Sequence, residues 1–466
     1  MKFSRLVVQI LLVVAVVTSF ILSFFIWTNT ARYQRGRNID VSTSDVDKNK
    51  TPINQIISPT QVIWQDGKEQ RLIYNNKDNI SVSMQKIIKN WKVGAFSQEF
   101  SKDGAKYQKM IQRKNMIQLV YPTNISIRTL GYLMNNTTLQ KATDHQFNRI
   151  LFSVNDKDDD NIYLANDKTY TVYKASVKDA SSKPIIKLAK KANIDLKIKL
   201  NLMKHGVVTF YTEPVTLKSY SYVLSTKADS EYTTNLFDSN TDDINSSTNG
   251  NVYTYNVGES KRLVSDHEKN ELTFSDYTDT SVPKDMLSFF QRGYKQATNI
   301  QNSVSNLRLY EASWKNKSLV YREYVEGFPI FKKSEFGSIK ISFSRNGSTE
   351  SFLSKVLEVP VPSDMRNATL KPTTEIVKEL NNIGYSPSEI QKLEVGYQWT
   401  NEEDNSDVID LEPTYYIKID DHWRSFESWS NMSAETSSSQ NNSSSSSSST
   451  SQSSNYATQS SSSEGE

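Results

Sequence analysis

The 466-residue chain contains no cysteine. That absence removes disulfide frameworks, thiol nucleophiles and thiolate zinc sites together. Its four histidines, His145, His205, His267 and His422, are scattered without HExxH or any paired-ligand spacing, which excludes the common histidine zinc sites. There is no Gly-rich phosphate loop and no Gly-x-Ser-x-Gly elbow. Ser-x-x-Lys occurs at Ser83–Lys86 and Ser281–Lys284, but the Lys-Thr-Gly companion of penicillin-binding enzymes is missing. In a chain this rich in Ser and Lys the tetrapeptide carries little. A formal net charge of +3 supplies no field for nucleic acid or an anionic polymer. Asp156, Asp158, Asp160 and Asp167 fall at calcium-loop positions, yet Asn161 stands where that loop needs Gly and Asp167 lacks the reach of Glu. A solvated acidic turn is expected there. The chain is expected to be no enzyme and to hold no metal or cofactor.

What the chain does have is one long apolar run, Leu6 to Trp27. At about 1.5 Å per residue it is roughly 33 Å long, enough to cross a ~30 Å hydrocarbon core once. The run is too long for a signal-peptide core, and Thr28-Asn29-Thr30-Ala31 matches a cleavage site poorly, so a retained single-pass anchor is expected. Lys2 and Arg5 before the run balance Arg32, Arg35 and Arg37 after it, so flanking charge sets no orientation. The lack of cysteine and the terminal serine tract both favour a body outside the cell.

Periodicity divides the rest. Residues 1–5 are a stub, 6–27 the transmembrane helix and 28–50 a polar stalk. Three α+β units are expected at 51–215, 216–283 and 284–430, with a disordered Ser-rich tail at 431–466. In the first, Val62–Trp64 and Arg71–Tyr74 flank Asp66-Gly67 as a hairpin, and Met84, Ile87, Ile88 and Trp91 share one helix face. In the second, residues 238–251 read as an exposed loop. In the third, Met286–Tyr294 is helical, Gly327 breaks two strands, and Arg345-Asn346-Gly347 signals a hairpin. Pro372 to Leu380 is helical up to Gly384, and Ser386-Pro387-Ser388-Glu389 is a capping box that predicts another short helix. Leu393, Val395, Tyr397 and Trp399 alternate as a half-buried strand whose partner runs through Tyr415–Ile419. The fold class is therefore α+β, antiparallel sheets with packed helices behind a single N-terminal transmembrane helix.

The stretch Leu319-Val-Tyr-Arg-Glu-Tyr-Val-Glu-Gly-Phe-Pro-Ile-Phe331 resembles a segment of the YycH family of Gram-positive bacteria. The region from Leu393–Trp399 through Leu411–Ile417 to Trp423 is similar to the family's closing region. The resemblance implies a membrane-anchored extracytoplasmic body, with the N-terminus in the cytoplasm. It implies adjustment of the WalK (YycG) sensor histidine kinase, which governs cell-wall metabolism, together with a YycI-like single-pass partner, partly through transmembrane helices. It brings no catalytic residues, and the Ser-rich tail lies outside the family pattern.

Within the run, Ala15, Ser19 and Ser23 form a small-xxx-small stripe that admits a second helix, and Gln9 places a polar group in lipid roughly 80° away. These four residues are the expected partner interface. Trp399, Tyr415, Tyr416 and Trp423 are read first as core aromatics, and second as a groove for glycan or peptide. The alternatives to a kinase regulator are an anchored envelope enzyme or a wall-associated scaffold.

Overall fold

Strands of alternating apolar residues, closed by Gly- and Asn-containing turns, build two large, mostly antiparallel sheets and a two-stranded one that pairs Val215–Leu217 with Ala368–Leu370. They are seen in a computed structural model that describes residues 50–432, apart from 76–78, 156–159, 238–242, 279, 301–305, 333–336, 362–366 and 401–406, together with Leu12, Val16, Thr18 and Ser19. Those four are helical and exposed. The rest of the Leu6–Trp27 run, including Gln9, Ala15 and Ser23, lies outside the described residues, as does the Ser-rich tail from 433 onward. No helix among the described residues is long and apolar enough to cross a membrane.

The N-terminal sheet has ten strands. Its centre is the strand Met116–Ser126, with Gln61–Gln65 on one side and Gln146–Ser153 on the other. The expected hairpin forms, with Val62 opposite Ile73 and Trp64 opposite Arg71. Helix Ile80–Ile88 buries Met84 and Ile88, and the chain turns at Trp91 just beyond it. Both faces of this sheet are covered. Ile117 and Leu119 face one hydrophobic core, while Met116 and Val120 face another.

The C-terminal sheet has fourteen strands. Residues 216–283, expected as a unit of their own, contribute Tyr220–Thr226 and a meander from Ile244 to Asp276 to this same sheet; Phe274 pairs with Glu350 across the join. Part of the expected 238–251 loop is instead the edge strand Ile244–Asn249, paired in register with Val252–Val257. From Asn245 to Asn249 every side chain is exposed, on both faces of the strand, so composition alone reads as loop. The turn at Arg345-Asn346 joins Ile339–Ser344 to Gly347–Leu353 as expected. Helix Thr373–Asn382 ends before Gly384, whose φ is +105°. The capping box forms in part, with the Ser386 N–H donating to Glu389 Oε2 at 2.6 Å. The residues after it turn once and enter the strand Ile390–Thr400, so the second short helix does not form: cross-strand bonds to Val408–Ile419 claim the backbone first.

One pairing in this sheet is parallel, between Phe328–Phe331 and Ile390–Thr400. Helix Met286–Ile300 lies across the sheet and buries Phe289, Phe290 and Ala297. At Gly293 that helix touches Leu319 and Tyr321 so closely that a Cβ would overlap both side chains.

Candidate functional site

The segment Leu319–Phe331 folds as a hairpin. Strand Ser318–Val325 returns through Glu326-Gly327 to Phe328–Phe331, with Val325 opposite Phe328. Both turn residues have positive φ, +49° and +83°, the geometry a two-residue hairpin turn needs. The turn does not project into solvent. Gly327 sits on the ring of Tyr74 from the N-terminal sheet, and a Cβ there would stand 2.6 Å from Tyr74 Cδ2.

Beside this contact, Arg308 of strand Leu307–Ser313 reaches into residues 53–60. Its Nη1 donates to Gln55 O at 3.0 Å and to Ser58 Oγ at 2.5 Å. The side chain is buried at 8 % exposure. Burial pulls its pKa below the ordinary value, and among the described residues the phenols of Tyr74 and Tyr324 oppose that pull. Two adjoining cavities of about 20 and 10 Å³ open here and share Thr60, Tyr74, Tyr324 and Gly327. A cavity of this size holds one water or an ion of similar size, not a sugar or peptide.

The rest of the hairpin carries buried charge. Glu323 and Lys332 pair at 2.7 Å, and the Lys332 ammonium stands 4.7 Å from the Trp399 ring centroid. Arg322 is boxed between Tyr310 and Phe331, 4.7 and 4.2 Å from their centroids, and donates to Ile330 O. Phe331 stacks on Tyr416 at 3.7 Å. The Tyr310 hydroxyl donates to Glu394, whose pKa is raised by burial. Burial also works against ionising Glu311, but the ammoniums of Lys392 and Lys418 outweigh it and hold that carboxyl down at about 2.

The four singled-out aromatics are not gathered into one groove. Trp399 takes Lys332, while Tyr416 and Trp423 pack around Phe331 and Tyr310. Tyr415 packs elsewhere, against Tyr211, with its hydroxyl donating to Lys371 O. Packing in the interior is therefore their role. Asp167 is taken up by a buried network, bonded to Arg149 at 2.8 Å, Asn148 at 2.7 Å and Tyr107 at 2.5 Å; Asp156 and Asp158 lie outside the described residues. The histidines stay apart: His145 stacks on Tyr173, His205 meets Ser388 O, and His267 meets Asp229. Of the expected membrane interface only Ser19 is described, helical and exposed.

The family profile for the YycH protein N-terminal domain matches residues 7–194, and that for its C-terminal domain matches residues 208–431. The chain belongs to the YycH family. Among solved structures, YycH from Bacillus subtilis superposes with a TM-score of 0.65 at 14% identity, covering 81% of this chain and 97% of that one, so the two share the fold. An uncharacterized protein from Eubacterium rectale is also matched, at a TM-score of 0.29 and 9% identity over 50% of this chain and 86% of that one, and carries no argument. No curated protein sequence matches. This YycH-family chain thus has its characteristic-looking segment, residues 319–331, at the seam of the two sheets. Sequence reasoning found that segment but not Arg308, Tyr74 or Glu350, the buried groups whose surroundings come from distant parts of the chain.

Proposed function

We propose that this protein is a non-enzymatic, membrane-anchored regulator of a sensor histidine kinase of the WalK (YycG) type, which controls cell-wall metabolism. Helix 6–27 holds it in the membrane, with the N-terminus in the cytoplasm and the body outside. A YycI-like single-pass protein is its second partner. The observation that carries this reading is the family match, which begins at residue 7 and so takes in the apolar run as well as both sheets. The use of charge in the body agrees with it. Glu323–Lys332 and Arg149–Asp167 are spent inside the fold, fixing strands and turns to one another.

The partner helices meet the stripe Ala15, Ser19 and Ser23, with Gln9 as a nearby polar contact. Deleting the gene is expected to change transcription of the kinase regulon. The double variant Ser19→Leu with Ser23→Leu is expected to weaken recovery of the kinase or the YycI-like protein from membranes. An unchanged regulon in the deletion strain rules out the kinase reading. Normal co-purification by the double variant rules out the stripe.

A further inference from the structure

We propose that the crevice beside Arg308 binds a chloride ion at the seam between the two sheets. Arg308 makes both of its protein hydrogen bonds through Nη1, to Gln55 O and Ser58 Oγ. Neither bond is to an anion, and no ion pair forms between Arg308 and any described carboxylate. A buried guanidinium without a counter-charge is costly, and the usual remedy is an anion held in bidentate fashion. Nε and Nη2 make no hydrogen bond to any described residue, so they are open to that use.

The walls suit such an occupant. Arg308, a cation, and the hydroxyl-bearing residues Thr60, Tyr74 and Tyr324 line the smaller cavity. Asn79 and Ser81 line it from the N-terminal end of the nine-residue helix Ile80–Ile88, whose backbone dipole favours negative charge. No Asp or Glu lines this cavity. The carboxylates Glu326 and Glu394 line its neighbour instead, where hydroxyls of Tyr220 and Tyr310 hold them. A volume of about 10 Å³ admits a single monatomic ion such as chloride and excludes carboxylates, phosphate esters and peptides. Because Arg308 and Tyr324 come from one sheet and Thr60 and Tyr74 from the other, the anion would tie the two together.

The test is thermal unfolding of the full-length protein in detergent at constant ionic strength, with gluconate exchanged for chloride or for formate. A saturable rise in Tm of about 2 °C or more with chloride and none with formate is expected; a rise with formate alone overturns the proposal. In Arg308→Met the salts should become equivalent. Equal Tm values for the native protein in all three salts overturn the proposal, as does a full salt response in the variant. Should the variant fail to fold, bromide-soaked crystals of the native protein decide. An anomalous peak within hydrogen-bond distance of the Arg308 guanidinium supports the site, and its absence there overturns it.

Discussion

Glu350 lies on strand Gly347–Leu353 between Phe274 and Ile341, 2 % exposed, and its Oε2 has no hydrogen-bond partner among the described residues. Burial, reinforced by the nearby Asp276 carboxylate and only partly opposed by Lys261, pushes its pKa from 4.5 up to about 8. The folded protein therefore holds a proton there that the unfolded chain releases near its ordinary value. Between those two pKa values the folded state binds more protons, so stability falls as pH rises and levels off above about 8. Glu350→Gln should remove that fall. Urea unfolding is expected to show the variant roughly 2–4 kcal/mol more stable than the native protein near pH 9, with little difference near pH 4.5. A difference that stays constant across this range would refute a protonated Glu350. Neither this residue nor Arg308 was legible in the sequence. Arg308 stands between Leu307 and Leu309, and Glu350 in the polar run Ser348-Thr349-Glu350-Ser351, and either pattern ordinarily means a solvent face. Residues 53–60 cover that face of Arg308, and no local pattern announces so distant a cover.

Hairpins were the most readable elements, because register follows from turn chemistry and alternation over a dozen residues. Asp66-Gly67, Asn346-Gly347 and Glu326-Gly327 all lie where strands reverse. The edge strand Ile244–Asn249 and the missing helix after Pro387 were not readable, because long-range pairing decided both. The Glu326-Gly327 turn does more than reverse the chain. Its left-handed φ and its seat on Tyr74 both exclude a side chain at Gly327. Gly327→Ala is expected to cost about 1–3 kcal/mol, measured as a lowered urea midpoint. Adding Tyr74→Leu should recover part of that loss, since the smaller side chain relieves the overlap but not the backbone strain. Strictly additive losses would show that the ring contact plays no part.

At the scale of the molecule, the two sheets share their interiors. One core joins Val62, Ile73 and Ile117 to Phe289, Leu319 and Tyr321, and a second joins Ile63 and Leu200 to Val395 and Leu411. Such sharing predicts a single cooperative unit. Hydrogen exchange should give amides of Gln146–Ser153 and Ile339–Ser344 the same opening free energy; a gap above about 2 kcal/mol would mean that the sheets open separately. Sequence patterns located the elements on both sides but gave no sign of this union, since the contacts that make it join residues hundreds of positions apart.

The placement of strand Tyr220–Thr226 bears on how the protein is made. Its neighbours in the sheet are Lys355–Val361 and Val408–Ile419, with Tyr220 opposite Leu411. At a synthesis rate of about 5–20 residues per second, roughly 190 residues and on the order of ten seconds or more separate Tyr220 from that partner. For roughly the first 135 residues of that interval neither edge of YSYVLST has its partner, and after Lys355–Val361 is made the other edge still waits for Val408–Ile419. The C-terminal sheet is consequently a structure that cannot close until Val408–Ile419 has been made. The period of greatest exposure to chaperones, proteases and mispairing is therefore set by strand order, whatever the stability of the finished fold.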